Sequence, residues 1–213
     1  MQIQLQQLQP VYLEKEKLVG SEIWNNQQIF ESGSLVEIVA ASGRGKSSFI
    51  HFLYGLRNDY QGKISLEGVA PDAFNYKQTA LLRSKKLSIV FQDLKLFESA
   101  TCLQNILVKN ALTGFSSTDA IEAMAERLGV RNKLATVAGN CSYGERQRIA
   151  IIRALQQPFE MLLLDEPFSH LDEMNREKAL DLILEETKKQ NAGIVLADLE
   201  TNPSFPATKR LKL

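Results

Sequence analysis

The sequence predicts an α/β fold in a single domain over residues 1–213. Three observations support this fold class. Apolar segments with strand character alternate with segments whose apolar residues recur at helical spacing. A glycine-rich turn joins one strongly apolar strand directly to a helix. A length of 213 residues suits one core with an inserted subdomain better than two separate domains.

The first third of the chain is predicted to be rich in strands. Polar and apolar residues alternate at the start (Ile3, Leu5 and Leu8), a strand pattern is centred near Ile29, and residues 35–40 form a buried strand. The remaining elements are a helix from Lys46 to near Gly55, a strand at 87–91, a helical insertion from 93 to about 142, a helix at 145–155, a strand at 161–164, a helix at 175–189 and a strand at 193–197.

The charge balance argues against a nucleic-acid partner. The chain has 25 basic and 25 acidic residues, so no net positive field attracts a polyanion. The two short basic stripes, at 83–86 and 209–212, are expected to lie on solvated surfaces, as charged residues mostly do.

The apolar runs and the cysteines indicate a cytoplasmic protein. The longest runs, such as 161–164, are far shorter than the roughly 20 residues that a membrane-spanning helix needs. The N-terminus has no basic region followed by an apolar stretch, so a secretory signal is not expected. Cys102 and Cys141 form neither a disulfide framework nor a metal-binding pattern, and they suit a reducing compartment as small apolar residues.

Residues 41–48, with the sequence ASGRGKSS, have the pattern of a phosphate-binding loop. They lie between a buried strand and a helix, which is the context that such a loop requires, although a glycine-rich turn can also merely join the two elements. The glycines allow backbone N–H groups to point at phosphate oxygens, and the helix N-terminus adds partial positive charge. Lys46 is expected to hold the β and γ phosphates, and Ser47 to coordinate Mg²⁺. The candidate nucleotide-binding residues here are Ser42, Gly43, Arg44, Gly45, Lys46, Ser47 and Ser48.

A later segment, MLLLDEP, ends an apolar strand in two acids, Asp165 and Glu166. Acids at a strand end are most often solvated turn residues. Their position downstream of a phosphate loop favours a functional interpretation instead. Asp165 is expected to bind Mg²⁺ through water, and Glu166 to polarise the attacking water as a general base.

With these two motifs in place, the chain resembles the ABC ATPase family, because three further segments occur in the family's order. Gln92, after the strand at 87–91, is similar to the Q-loop glutamine, which contacts Mg²⁺ or the water and couples the site to a membrane partner. Residues 141–145, CSYGE, resemble the signature LSGGQ, and Ser142 and Gly144 match it.

The third segment is SHLD at the end of the acid-pair region, which resembles the D-loop and ends in Asp172. The resemblance also implies an aromatic residue that stacks on adenine upstream of the phosphate loop, and Tyr12 lies at a suitable distance. Tyr12 can alternatively be an ordinary strand residue, since aromatics are common in strands.

The resemblance covers nearly the whole chain. It implies a P-loop NTPase core of the ABC-ATPase type, with an N-terminal antiparallel β subdomain and a helical subdomain inserted at about 93–145. It implies ATP and Mg²⁺ as cofactors, and a head-to-tail homodimer, or a heterodimer with a similar subunit, in which each signature completes the partner's phosphate site. It also implies a separate transmembrane permease subunit that holds the chain at the cytoplasmic face of the membrane.

Several positions depart from the family pattern. Ala40 replaces the first glycine of the phosphate loop, and Ala197 occupies the place of a histidine that contacts the γ-phosphate. Cys141, Tyr143 and Glu145 replace the leucine, one glycine and the glutamine of the signature. These changes leave nucleotide binding in place but predict slow hydrolysis.

Three functions remain open from the sequence. The first is a transport ATPase, which the single short domain favours. The second is a soluble ABC protein outside transport, and the third is a nucleotide-sensing regulator with little or no turnover, which the altered signature motivates.

The apolar residues after the Q-loop, Leu94, Leu96 and Phe97, are expected to form part of the docking surface for the membrane subunit. The alternative is that they pack onto the helices of the insertion itself.

Overall fold

The computed structural model describes the backbone of residues 1–213 and every side chain except that of Lys15. The strands are β1 (Gln2–Pro10), β2 (Gln27–Glu31), β3 (Leu35–Val39), β4 (Tyr60–Leu66), β5 (Leu87–Val90), β6 (Met161–Asp165), β7 (Gly193–Asp198) and β8 (Lys209–Lys212). The α-helices are α1 (Lys15–Leu18), α2 (Lys46–Leu53), α3 (Tyr76–Lys85), α4 (Cys102–Asn110), α5 (Thr118–Arg127), α6 (Tyr143–Ala154) and α7 (Glu173–Lys189).

Five strands form a parallel sheet in the order β5-β6-β7-β3-β8. Its central strands are apolar on both faces, and alternate residues enter two different clusters: Leu162 and Leu164 face one side of the sheet, whereas Leu163 faces the other. Because the strands are parallel, the loops that follow β3, β5, β6 and β7 meet at one edge of the sheet. That edge carries the candidate site.

The remaining three strands form an antiparallel sheet in the order β2-β1-β4. The apolar side of this sheet packs with α2 and one face of the parallel sheet in a single cluster. Aromatic rings fill its centre, with Trp24 edge-on to Phe49 at 5.7 Å and to Phe52 at 6.5 Å between ring centroids. The cluster therefore fixes α2, whose first turn follows the phosphate loop, against both sheets. The α/β fold with an N-terminal antiparallel sheet is as predicted.

The stretch after β5 is helical, as its apolar spacing indicated. It contains α4 and α5, and α6 then begins at Tyr143, two residues before the predicted start. Ile106, Ile121 and Ala125 are fully buried in the same cluster as the inner face of α6. Cys102 and Cys141 lie inside this cluster with their sulfur atoms 3.6 Å apart, both as free thiols.

Four of these strands and helices were not predicted from the sequence: α1, β4, α3 and β8. The three basic residues of the stripe at 209–212 are exposed, as predicted. The stripe forms edge strand β8, in which Leu211 is buried and Arg210 Nε lies 2.7 Å from Glu37 Oε2. Glu37 is a fully buried carboxylate in β3, and it needs this partner. Among the helices that the structure describes, none has the length and apolar content to span a bilayer.

Candidate nucleotide-binding site

The loop between β3 and α2 depends on two glycines. Gly43 and Gly45 have φ values of +76° and +97°, in the left-handed region that other residues rarely adopt. A Cβ on Gly45 would also lie only 3.2 Å from the ring of Trp24. Ala40, which replaces the first glycine of the family pattern, is buried, and its backbone N–H donates to the carbonyl of Asp198. The loop therefore has glycine at the two positions whose backbone is left-handed, and alanine is accommodated at position 40.

Lys46 is buried at the start of α2 and is held by three oxygens. Its Nζ donates to the carbonyls of Ala40 at 2.8 Å and Ala41 at 3.2 Å. It also lies 3.2 Å from Oε1 of Glu166, with both side chains less than a tenth exposed. The loop lysine and the candidate general base thus neutralise each other. A phosphate that binds Lys46 has to compete with this ion pair.

Gln92 connects the phosphate loop to the acid pair. Its Oε1 accepts a hydrogen bond from the Ser47 hydroxyl at 2.9 Å, and its Nε2 donates to Oε2 of Glu166 at 3.3 Å. The sequence assigned these residues to three different motifs. The structure places them in one chain of hydrogen bonds at the edge of the parallel sheet.

Asp165 ends β6 as a buried carboxylate, and neither of its oxygens has a hydrogen-bond partner in the protein. Its pKa is raised from 3.8 to about 6, mainly by burial and to a lesser degree by the nearby Glu166, while the Ser47 hydroxyl partly opposes the change. Buried oxygens without partners are costly unless a ligand satisfies them. Oxygen donors of this kind suit Mg²⁺, so Asp165 and Ser47, with the Gln92 side-chain oxygen, fit a magnesium site.

Glu166 follows with a left-handed backbone, at φ +46°. A non-glycine residue in this conformation is strained, and such strain often occurs at functional positions. The conformation is held because Glu166 N–H donates to the Ala197 carbonyl at 2.9 Å, while Glu166 C=O accepts from Gln147 Nε2 at 3.3 Å. Gln147 is a buried residue of α6 that the sequence did not single out. It also accepts from the backbone N–H of His170, and so joins α6 to the D-loop-like segment.

A cavity of about 260 Å³ opens beside the phosphate loop. It is lined by Tyr12, Leu13, Ser42, Gly43, Gly45, Lys46, Ser47, Ser48, Gln92 and Glu166. Tyr12 is 45% exposed, so one part of its ring is free. Arg44 is not part of the lining, because its Nη1 donates to the carbonyl of Lys17 in α1.

Besides Arg44 and Asp165, three predicted site residues do not line this cavity within one chain. Ser142 is exposed and caps α6, accepting from the N–H of Glu145. Gly144 follows it, in tight packing that leaves 3.0 Å between an added Cβ and the His170 carbonyl. Asp172 caps α7, and its hydrogen bonds from Asn175 lower its pKa.

Tyr143 lies where the family signature has a glycine, and it bridges three segments of the site. Its hydroxyl donates to the Gln92 carbonyl at 2.8 Å. Its ring meets that of His170 edge-on, with centroids 4.2 Å apart, and the Arg146 guanidinium lies 5.4 Å from its centroid. The sequence indicated only the loss of a glycine here, because the contact partners are distant along the chain.

Ala197, at the position aligned with the family histidine, is fully buried near the end of β7 and pairs with Asp165 in the adjacent strand. Neither histidine of the chain takes its place. His51 is on α2 with its ring beside Phe91, and His170 rests on Tyr143. Next to Ala197, burial raises the pKa of the Asp198 carboxyl.

The predicted apolar docking group is only partly exposed. Leu94 is buried, Leu96 is half-buried against the helical core, and Phe97 is 58% exposed. The expectation that Leu94 forms a docking surface was wrong. The reason is that Arg153 of α6 donates to the carbonyls of Leu94 and Lys95, at 2.5 and 2.7 Å, and so holds this turn against the core.

A glycine-rich loop between a parallel strand and a helix, a buried lysine within it and an acid pair at the end of another parallel strand define a P-loop nucleotide-binding protein. The family model described as "ABC transporter" matches residues 25–169. The chain belongs to the ABC transporter family, among its ATP-binding subunits.

Named relatives agree with this assignment. The lipoprotein-releasing system ATP-binding protein LolD of Legionella pneumophila (strain Paris) is 38% identical over 167 residues, which are 77% of this chain and 74% of that protein. LolD of Aquifex aeolicus (strain VF5) is 37% identical over 174 residues, or 80% of this chain and 78% of that protein.

A solved structure supports the fold. The bacterial ABC transporter cassette MJ0796, solved as a dimer, superposes with a TM-score of 0.83 over 99% of this chain and 94% of that chain, at 22% identity.

Proposed function

We propose that this chain is the ATP-hydrolysing subunit of a membrane transporter and that it works as a single domain over residues 1–213, with its helical subdomain at about 93–145. One observation carries the proposal. Lys46, Ser47, Gln92 and Glu166 form a connected set of contacts around one cavity, and the orphaned carboxylate of Asp165 lies beside them. This set contains both a phosphate ligand and a base.

Each residue has a distinct part in the proposed reaction. Lys46 exchanges its carbonyl and carboxylate partners for phosphate oxygens. Glu166, released from that ion pair, accepts a proton from the attacking water. Mg²⁺, when bound by Asp165, Ser47 and Gln92, supplies positive charge that offsets the charge of the phosphates. Tyr12 offers its exposed ring to the base of the nucleotide.

Ser142, Gly144 and Asp172 enter the proposal through a second copy of the chain, or through a similar subunit. These residues lie apart from the cavity in one chain, and Ser142 is exposed. In a head-to-tail dimer each signature segment meets the partner's phosphate site, and nucleotide binding closes the two copies on each other. Closure of the dimer then provides the movement that drives the membrane subunit.

The proposed membrane partner is a separate permease at the cytoplasmic face. A groove of about 230 Å³ lies beside the Q-loop segment, lined by Asp93, Leu94, Lys95, Leu96, Glu98, Tyr143 and Arg146. Phe97, the exposed apolar residue next to it, is the position from which a cross-link to the permease is expected. Because the relatives LolD are named for lipoprotein release, the permease of a lipoprotein-releasing system is the first partner to test.

A nucleotide-sensing regulator is the second candidate function. Two observations favour it: Ala197 supplies no imidazole, and Lys46 is paired with Glu166. Loss of one hydrogen-bond donor that stabilises the charge of the transition state typically lowers turnover by about 10²–10³-fold. Under both candidates we expect turnover below the median enzyme rate of about 10 per second.

Steady-state ATP hydrolysis separates the two candidates. The purified chain is assayed with ATP and Mg²⁺, alone and with the co-expressed permease, beside the Glu166→Gln variant as the matched inactive control. Transport coupling predicts measurable hydrolysis that the permease changes and that Glu166→Gln strongly slows. Tight ATP binding with a rate equal to that of Glu166→Gln, with or without the permease, would instead support the regulator.

A further inference from the structure

Arg57 follows α2 in the loop that leads to β4, and its side chain extends back toward the nucleotide cavity. The guanidinium carbon lies 4.6 Å from the centroid of the Tyr12 ring and 5.7 Å from that of Phe52. A guanidinium over an aromatic face at such distances makes a favourable cation–π contact. Arg57 thus contacts the aromatic residue that lines the cavity.

The same guanidinium is fixed by two further partners. Its Nε donates to Asp59 Oδ1 at 2.9 Å, and its Nη2 pairs with the other carboxylate oxygen. Its Nη1 donates to the Ser48 hydroxyl at 3.0 Å. Because the guanidinium group is planar and rigid, these hydrogen bonds set its orientation relative to the Tyr12 ring. One side chain therefore controls both Tyr12 and Ser48, which are separate parts of the cavity wall.

The position of Arg57 determines which side of Tyr12 is covered. Arg57 is absent from the lining of the 260 Å³ nucleotide cavity, whereas Tyr12 and Ser48 belong to it. Arg57 instead lines a neighbouring groove of about 820 Å³, to which Tyr12 does not contribute. Because Tyr12 lines the nucleotide cavity and Arg57 does not, the face of the ring opposite the guanidinium is the one offered to a ligand in the cavity.

We propose that Arg57 is a positioning residue for the base of the bound nucleotide: it holds the Tyr12 ring and the Ser48 hydroxyl so that a purine stacks on the free face of Tyr12. This inference rests on the proposed nucleotide-binding function. Stacking depends on overlap of ring faces, so a purine benefits more than a pyrimidine, and a bare phosphate chain does not benefit. Arg57 consequently favours purine nucleoside triphosphates.

The test compares ATP, CTP and inorganic tripolyphosphate on the full chain and its variants. Binding is followed through Trp24, the single tryptophan, whose indole N–H lies 3.4 Å from the Arg44 carbonyl in the phosphate loop. The variants are Arg57→Ala and Arg57→Lys, which keeps the charge but not the planar fork. Arg83→Ala is the matched control, because the Arg83 guanidinium lies 5.1 Å from the Tyr54 ring and bonds the Gly55 carbonyl away from Tyr12.

We expect Arg57→Ala to bind ATP about 3- to 30-fold more weakly, the range that one cation–π contact supports. The ATP affinity of Arg57→Lys should lie between those of Arg57→Ala and the wild type. In Arg57→Ala the affinity for CTP should fall by less than the affinity for ATP. The affinity for tripolyphosphate should change by less than about threefold, since it has no base to stack. Arg83→Ala should bind all three like the wild type. Circular dichroism and thermal unfolding verify that each variant is folded.

Four results overturn the inference. ATP binding by Arg57→Ala that equals the wild type removes the role, and tighter binding means that the guanidinium occupies the place of the base. Equal losses for ATP and tripolyphosphate mean that Arg57 acts on the phosphates through its charge. A wild-type chain that binds none of the three ligands overturns the proposed function as well, so the two failures are distinguishable.

Discussion

Replacing Asp165 by asparagine is expected to stabilise the ligand-free protein while it abolishes Mg²⁺-dependent hydrolysis. The Asp165 carboxyl is buried without a hydrogen-bond partner, and its pKa is raised from 3.8 to about 6. One pKa unit corresponds to about 1.4 kcal/mol, so the ionised carboxylate destabilises the fold by about 3 kcal/mol at pH 7. Asparagine has a similar shape and no charge, and it removes that contribution.

The sign of the pH dependence follows from the direction of the shift. The folded-state pKa of Asp165 lies above the unfolded value, so proton binding favours the folded state. The stability that this carboxyl contributes is fully present below about pH 3.8 and is lost as the pH rises through about 6. The advantage of Asp165→Asn should therefore grow between pH 4 and pH 6 and stay constant near pH 7.

Urea unfolding in the presence of a metal chelator, from pH 4.5 to pH 7.5, measures this advantage. Asp181→Asn is the control, because it removes an exposed carboxylate from α7. The new amide has donors without partners, which costs about 1–3 kcal/mol, but this cost does not depend on pH. A difference between variant and wild type that is the same at pH 4.5 and pH 7.5 would refute the reasoning.

Three further substitutions test the site. Lys46→Ala should abolish ATP binding by calorimetry and also destabilise the fold, by up to about 3–5 kcal/mol, because it leaves the buried Glu166 without its cation; a folded variant with micromolar ATP affinity contradicts the assignment. Glu166→Gln should bind ATP, hydrolyse it slowly and accumulate as a dimer in light scattering with ATP and Mg²⁺, and an unchanged rate would exclude Glu166 as the base. Ala197→His should raise turnover up to about 10²–10³-fold, with a stability loss of about 1–3 kcal/mol because the position is fully buried; a folded variant no faster than wild type means that another residue fills the role.

The sequence predicted the fold class and the loop-borne candidate residues because each lies in a local pattern. Alternating apolar strands, helical spacing and glycine before lysine are all readable within ten residues. Edge strand β8 was missed because its sequence, KRLK, has one apolar residue, and its strand conformation depends on pairing with β3 and on the buried Glu37.

The contacts of Lys46 and Arg57 could not be predicted for the same physical reason. Lys46 meets Glu166, which follows β6 and lies 120 positions further along the chain. Arg57 precedes β4 and contacts Tyr12, which follows β1, because these two strands pair as far as Pro10 and Tyr60. That the charge of Lys46 neutralises a buried acid is likewise visible only in the fold. The energetic contributions of Lys46 and Arg57 therefore depend on residues that are close in the fold but distant in the sequence.

The paired thiols of the helical core make this chain suited to spectroscopic labelling. Cys102 and Cys141 are the only cysteines, both are buried, and burial raises the pKa of Cys102 to about 12, so the reactive thiolate is scarce at neutral pH. A maleimide dye therefore meets no exposed native thiol. Cysteines introduced at exposed Asp119 on α5 and Lys63 on β4 could carry a donor and an acceptor, and single-molecule energy transfer would then follow the distance between the helical segment and the antiparallel sheet as nucleotide is added.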